Sequence, residues 1–83
     1  MIGAAQIKAA RALLGLDQQE LSKLADVGIS TLKRIELASE VTGSARSLWK
    51  IQLALEHAGV EFIPEEAGRG PGVGLKQGRG SSP

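Results

Sequence analysis

Apolar residues in the first third of the chain recur at the three- and four-residue spacing of amphipathic helices. The first such stretch runs from Gln6 to Leu14 and is followed by Gly15, which suits a left-handed helix cap. A second begins at Asp17, which stands three residues before Glu20 with the spacing of a capping box. The pattern therefore predicts two short helices joined by a tight connection.

A turn and a third helix follow. Asp26 tolerates a left-handed backbone and Gly28 permits a sharp helix start, so both suit a break between helices. The helical pattern then resumes from Ile29 to Leu37. The side chains predicted to face the core on the second and third helices are Leu21, Leu24, Ala25, Leu32 and Ile35. The outer edge of the third helix is predicted to present Ser30, Lys33, Arg34 and Leu37.

Two opposite charges interrupt the apolar faces of separate helices. Arg11 lies four residues after Ile7, and Glu36 lies four residues after Leu32, so both fall on core-facing sides. A long side chain that reaches out to solvent is the simpler explanation for Arg11. We favour an ion pair between Arg11 and Glu36 that joins the first and third helices.

The second half of the chain predicts one longer helix. Residues 37–43 form a connector, Ser44 suits an N-cap, and the helical pattern runs from Ala45 to Ala58 before Gly59. The predicted core stripe of this helix is Leu48, Ile51, Leu55 and Ala58.

Trp49 and Leu53 lie four residues apart on the outer side of the same helix. Single exposed apolar residues are common on protein surfaces. A Trp–Leu pair in so small a domain nevertheless favours a covered face, under either a second subunit or the chain's own C-terminus. Phe62 is assigned to the same patch.

Two short extended stretches, Val60–Ile63 and Gly72–Leu75, can pair as a hairpin. A two-stranded ribbon alone is marginal in water, so it must pack on Trp49 and Leu53 or pair with a second chain. The predicted fold is therefore all-α: a compact four- or five-helix domain over residues 1–59, with a short C-terminal β-extension over 60–75. Residues 76–83 are predicted to form a flexible tail.

The composition limits which kinds of partner and binding site the chain can have. A chain of 83 residues makes one small domain. Its net charge of +1 is far below the strongly positive charge usual for nucleic-acid binders. If the chain binds DNA, its positive charge must be concentrated on one surface or doubled by dimerisation. The absence of cysteine excludes disulfides and thiolate metal sites, and it suits a cytoplasmic protein. No apolar run predicts a signal peptide or a membrane span.

Catalytic chemistry finds little support in the sequence. His57 is the only histidine and is more simply a solvated residue, and Glu65-Glu66 is an acidic pair in a loop. The glycine-rich segment 68–74 lacks the helix and the Lys-Ser/Thr pair of a phosphate-binding loop. We therefore expect no enzyme activity, no cofactor and no metal site.

Three segments, Gln18–Leu21, Ala25–Val27 and Ser30–Glu36, resemble the Xre family, the helix-turn-helix proteins of lambda Cro and phage-repressor type. The resemblance spans roughly residues 7–59, and the extension after it is similar to that of small alphaproteobacterial regulators. In that family the residues at the positions of Arg11 and Glu36 form an interhelical salt bridge, which agrees with the pairing favoured above.

The resemblance implies that the third helix enters a DNA major groove. Gln18 would contact a phosphate at the start of the second helix. Arg34 suits a bidentate contact to guanine, whereas Lys33 suits a phosphate. The implied DNA-contacting residues are Gln18, Gln19, Gly28, Ile29, Ser30, Thr31, Lys33 and Arg34.

Three positions depart from the family pattern. Asp26 stands where glycine is usual, and Gly28 stands where a Ser or Thr usually caps the third helix. Ile29 replaces a frequently polar residue, and it suits either a thymine methyl or a protein interface. The predicted function is a homodimeric transcriptional regulator on double-stranded DNA. The alternative is a protein-interaction module on the same fold, an antitoxin or anti-activator, with another regulatory protein as its partner.

Overall fold

A computed structural model describes residues 2–37 and 44–76, which form four helices followed by a two-stranded sheet. The helices are α1 (Ala4–Leu14), α2 (Gln18–Ala25), α3 (Ile29–Leu37) and α4 (Ala45–His57), and the strands are β1 (Val60–Ile63) and β2 (Gly72–Leu75). Within these described ranges, none of the helices is long and apolar enough to cross a membrane. The remainder of the predicted connector and tail, residues 38–43 and 77–83, lies outside the described residues.

Local hydrogen bonds define both chain reversals between α1 and α3. Gly15 follows α1 in a left-handed conformation with φ 71°. The carboxylate of Asp17 accepts a 2.7 Å bond from the amide of Glu20, and the Glu20 carboxylate accepts a 2.9 Å bond from the amide of Asp17. Asp26 ends α2 with φ 58° and ψ 47°. The capping box and the left-handed Asp that the spacing predicts are therefore both present.

One apolar core joins the helices and the first strand. It includes Ile2, at the start of the described chain, and Val60, the first residue of β1, which is fully buried. The remaining buried apolar residues come from all four helices, namely Ile7, Ala10, Leu21, Ala25, Leu32, Ile35, Leu48, Ile51 and Leu55. The β-extension thus contributes to the core of the helical domain and is not an appendage.

Two residues predicted to face the core lie outside it. Leu24 is 58% exposed, because the face that α2 buries is rotated toward Ser22. Ser22 can enter the core because its hydroxyl donates a 2.8 Å bond to the carbonyl of Gln19 and leaves no polar group unsatisfied. Ala58 is exposed because α4 ends at His57, so that the core stripe does not continue through it.

The hairpin packs on α1 and α4. Its strands are antiparallel, with Val60 opposite Leu75 and Phe62 opposite Val73. The Gln6 side chain connects α1 to β2: its amide donates a 3.1 Å bond to the carbonyl of Gly72. This position differs from the predicted packing on Trp49, which is still 58% exposed. The sequence pattern missed the Gln6 connection because its two partners are 66 residues apart.

The Gln6 connection predicts a stability effect. Gln6→Ala removes the bond to Gly72 and also the 3.1 Å bond that the Gln6 carbonyl oxygen accepts from the amide of Gly3. We expect the free energy of unfolding to fall by about 1–2 kcal/mol. Amide exchange in β2 should accelerate as well, because the strand loses its tie to α1. Thermal denaturation and hydrogen exchange measure the two effects.

Gln19→Ala is the matched control, since Gln19 is an exposed residue of the neighbouring helix. It should change the free energy of unfolding by less than about 0.5 kcal/mol. Equal losses for the two variants would show that Gln6 does not hold the hairpin.

Candidate nucleic-acid interface

Helix α3 exposes one edge to solvent along its whole length, and most of the residues on this edge are polar. Ser30, Lys33, Arg34 and Leu37 are all exposed, and Leu37 is 85% exposed. Ile29 is at the start of the same edge, 37% exposed. Thr31 is half-buried beside it. The structure therefore brings the predicted readers of the third helix onto one continuous surface.

The opposite side of α3 fixes how that edge is turned. Leu32 is fully buried and Ile35 is 2% exposed, and both belong to the common core. Glu36 is buried with them, although it carries a charge. Because these three residues hold one face of the helix against α1 and α2, rotation of α3 would expose apolar surface or strand a buried charge.

Arg11 and Glu36 form a two-bond ion pair between α1 and α3. Arg11 donates from Nε to Glu36 Oε2 at 2.9 Å and from Nη2 to Oε1 at 2.8 Å. Its Nη1 donates to the carbonyl of Leu16 at 3.1 Å. The hydrogen bond to Glu36 raises the pKa of Arg11 above its ordinary value, although partial burial opposes the shift. The Glu36 side chain is only 4% exposed, so its charge depends on this partner.

Glu36 also holds Gln18, the first residue of α2. The Gln18 amide donates a 3.1 Å bond to Glu36 Oε1, the oxygen that also accepts from Arg11 Nη2. An amide nitrogen carries two hydrogens, so one donor of Gln18 is still available. Sequence reasoning assigned Gln18 to a phosphate and missed this link, which fixes the start of α2 beside α3. Gln19, the next residue, is exposed.

A cleft of about 430 Å³ opens beside this pair, between α1 and α3. It is lined by Lys8, Arg11, Gln18, Lys33, Glu36 and Leu37. Arg11 neutralises Glu36, whereas Lys8 and Lys33 form no ion pair within the described residues. The cleft is therefore electropositive and suits an anion. Lys8 was not predicted; the available signal was its place one helical turn before Arg11.

The turn before α3 is tied to α4. Lys50 donates a 3.2 Å bond to the carbonyl of Asp26, and its Nζ lies 3.6 Å from the Asp26 carboxylate. Asp26 can stand where glycine is usual because a short polar side chain tolerates the left-handed backbone that this turn requires. Gly28 has no side chain that could cap α3, so first-turn N–H groups of that helix are available to an external acceptor such as phosphate.

The predicted patch on α4 and the hairpin is divided between two environments. Trp49 is 58% exposed, and Leu53 is half-buried. Phe62 packs against the common core from β1. Among residues 2–37 and 44–76, no cluster of three or more His, Asp or Glu residues is arranged to hold a metal ion.

The comparison with known families agrees with this geometry. Residues 7–56 match a family model described as helix-turn-helix. The match begins within α1 and ends within α4, so it contains the Arg11–Glu36 pair and all of α3, whereas the hairpin falls outside it. No curated protein matches the chain.

The buried carboxylate predicts that Arg11→Ala is strongly destabilising. The substitution leaves Glu36 buried with Gln18 as its remaining side-chain partner, and truncating one member of a buried pair typically costs about 3–5 kcal/mol. Denaturant unfolding monitored by circular dichroism measures the loss. Arg46→Ala removes an exposed arginine from α4 and should cost less than about 0.5 kcal/mol. An unchanged melting temperature for Arg11→Ala would contradict this account of the pair.

Proposed function

The chain belongs to the helix-turn-helix family of Xre and Cro type, and on this premise we propose that it regulates transcription by inserting α3 into the major groove of an operator. Membership of this family makes the chain a DNA-binding regulator in general terms. The observation that carries the finer proposal is the exposed edge of α3, held in one orientation by the buried Glu36 on its other side.

The dimensions of α3 suit the major groove. Its nine residues make a helix about 13 Å long, and the groove is about 12 Å wide, enough for one helix. In the proposed complex Arg34 donates two hydrogen bonds to a guanine, Ser30 contacts a base edge, and Ile29 contacts a thymine methyl. Lys33 contacts a phosphate, because an ammonium group acts as a point charge without a fixed direction.

Phosphate contacts on either side of α3 set its register on the duplex. The remaining amide hydrogen of Gln18 and the uncapped start of α3 at Gly28 are suitable donors. Lys8 adds a cation from α1, since it shares the cleft with Gln18 and Lys33. These local charges explain how a chain with a net charge of +1 can bind DNA: no carboxylate neutralises Lys8, Lys33 or Arg34 within the described residues.

We place two copies of the chain on a roughly two-fold symmetric operator. A single α3 reads only a few base pairs, and helix-turn-helix dimers typically bind half-sites about 34 Å apart. A homodimer doubles both the number of base contacts and the local positive charge. Binding of this kind regulates a gene by occupying its promoter DNA.

The second candidate is a protein-interaction module, an antitoxin or anti-activator that uses the same fold. The exposure of Leu37 and Trp49, together with Ile29 at the start of α3, favours it. An electrophoretic shift against the chain's own upstream DNA, repeated over a range of salt concentrations, separates the two. Specific, salt-dependent retardation supports the operator; no retardation at any salt concentration supports the protein partner.

Lys33→Ala tests the phosphate contact. We expect weaker binding to every DNA sequence, because a phosphate contact carries no base information. The slope of log K against log salt should flatten by about 0.9 for each copy bound. Titrations of specific and random duplexes at several salt concentrations measure both. Arg69→Ala removes a charge from the hairpin loop and should leave the slope unchanged; equal flattening by both variants would remove Lys33 from the interface.

Arg34→Ala tests base reading. Loss of a bidentate guanine contact should weaken specific binding by about 1–3 kcal/mol and relax the preference at one position of each half-site. Binding to a library of single-base operator variants shows the position. If Arg34→Ala weakens specific and random DNA equally, Arg34 contacts the phosphate backbone and not a base.

A further inference from the structure

The hairpin loop, the start of α1 and one side of α4 surround a cavity of about 490 Å³. Its floor is made of residues that are buried or half-buried, namely Ile2, Gln6, Gln52 and Phe62. Its rim is made of exposed residues from the end of β1 and the loop, namely Ile63, Pro64, Glu65 and Pro71. Pockets that hold small molecules have volumes of about 300–1,000 Å³, so the cavity is large enough for such a ligand.

The walls of the cavity are mostly apolar. Five of the eight lining residues, among them Phe62 and Ile63, have apolar side chains. Phe62 is aromatic and half-buried. Ile63 is 43% exposed, since its partner across the sheet is Gly72, which has no side chain to cover it. Contact with an apolar ligand would remove this surface from water, which is favourable.

The polar groups of the cavity are mainly hydrogen-bond acceptors. Gln6 already uses its carbonyl oxygen to accept from Gly3 and its amide to donate to Gly72. The Gln52 amide donates a 3.1 Å bond to the Glu56 carboxylate, whereas the Gln52 carbonyl oxygen accepts no bond within the described residues. Proline has no amide hydrogen, so the two prolines of the rim contribute backbone acceptors and no donors. Apart from one remaining hydrogen on each glutamine amide, a ligand in the cavity must therefore bring its own donors.

Glu65 supplies the only charge among the residues that line the cavity. It is exposed at the rim and forms no ion pair within the part of the chain that the structure describes. A cation at the rim is attracted by this carboxylate, and an anion is repelled by it. Exposed ion pairs are weak on their own. The charge therefore selects among ligands, and burial of apolar surface supplies most of the affinity.

We propose that this cavity binds a small organic cation, in which a primary amine or a guanidinium group is attached to an apolar body, preferably an aromatic ring. The apolar body lies against Phe62 and Ile63. The cationic group lies toward the rim, where the Glu65 carboxylate and the Gln52 carbonyl oxygen accept its hydrogens. A primary ammonium group has three hydrogens, enough for both acceptors.

The cavity is separate from the DNA-binding edge. None of its lining residues belongs to α2 or α3, whereas the cleft beside Arg11 and Glu36 is lined by residues of α1, α2 and α3. A ligand on the floor covers Gln6, which holds β2 to α1 through the carbonyl of Gly72. Such a ligand stabilises the packing of the hairpin and does not compete with DNA for α3. The site therefore does not depend on the function proposed above.

Phenethylamine is a suitable probe, because it joins a benzene ring to a primary ammonium group. Phenethyl alcohol is its neutral match, and ethylamine carries the charge without the ring. Titration of the isotope-labelled full chain with each probe, followed by backbone amide shifts in NMR spectra, measures the affinity and locates the site. We expect phenethylamine to bind with a Kd of about 1 mM, as suits so small a ligand. Phenethyl alcohol should bind about three- to fivefold more weakly, and ethylamine about tenfold more weakly or less.

Glu65→Gln tests the role of the charge, and Glu61→Gln is its matched control. Both carboxylates are exposed, but Glu61 does not line the cavity. Glu65→Gln should weaken phenethylamine about three- to fivefold, to the level of phenethyl alcohol, because the substitution removes the charge and keeps the shape of the side chain. The affinity for phenethyl alcohol should not change. Glu61→Gln should leave the affinities for both probes as they are in the natural chain.

Selective weakening by Glu65→Gln, together with shifts at the amides of Phe62, Ile63 and Glu65, supports the site. Equal affinities of the natural chain for phenethylamine and phenethyl alcohol overturn the preference for a cation. Equal weakening by the two variants, shifts confined to residues outside the lining, or no shift with any probe likewise overturn the assignment. Circular dichroism of both variants verifies that each is folded before its affinity is compared.

Discussion

The buried carboxylate of Glu36 is the constraint on which the DNA-binding unit depends. It accepts two hydrogen bonds from Arg11 and one from Gln18, and so joins α1, the start of α2 and α3 at one point. An unpaired charge at this depth would be costly, so packing arrangements that separate Glu36 from Arg11 are strongly disfavoured. The same arrangement turns the polar edge of α3 outward and leaves one donor of Gln18 beside Lys33. The ion pair that joins these helices therefore also sets the geometry of the proposed DNA contacts.

On the other side of α1, the hairpin completes the apolar core. A domain this small has little surplus apolar area, and four short helices leave one flank of the core uncovered. Val60 and Phe62 cover it, and Gln6 holds β2 in place through the carbonyl of Gly72. A glycine-rich strand suits this role poorly as a free element, since glycine loses much backbone entropy on folding. Packing on α1 offsets part of that cost.

Local patterns in the sequence were enough to predict the four helices, the capping box at Asp17, the left-handed Asp26 and the two strands, because each depends on neighbours a few residues away. The pairing of Arg11 with Glu36 also followed from helical spacing, since each residue interrupts an apolar face. Spacing could not give the rotation of α2, where Ser22 and not Leu24 is buried, because that depends on how α4 packs. Nor could it give the Gln6–Gly72 bond or the cleft shared by Lys8 and Lys33. Those arise from residues brought together only by the fold.

The nearly balanced charge of the chain bears on how it would select its operator. A strongly basic domain binds any duplex through counterion release, and that non-specific term competes with the specific site. Among the described residues Glu36 is neutralised by Arg11, and the unpaired positive charge beside α3 comes from Lys8, Lys33 and Arg34. One copy would then bind random DNA weakly, and useful affinity would require base contacts from two α3 helices held together. If the chain acts as the proposed homodimer, the contacts between its two copies contribute to specificity as directly as the residues that read the bases.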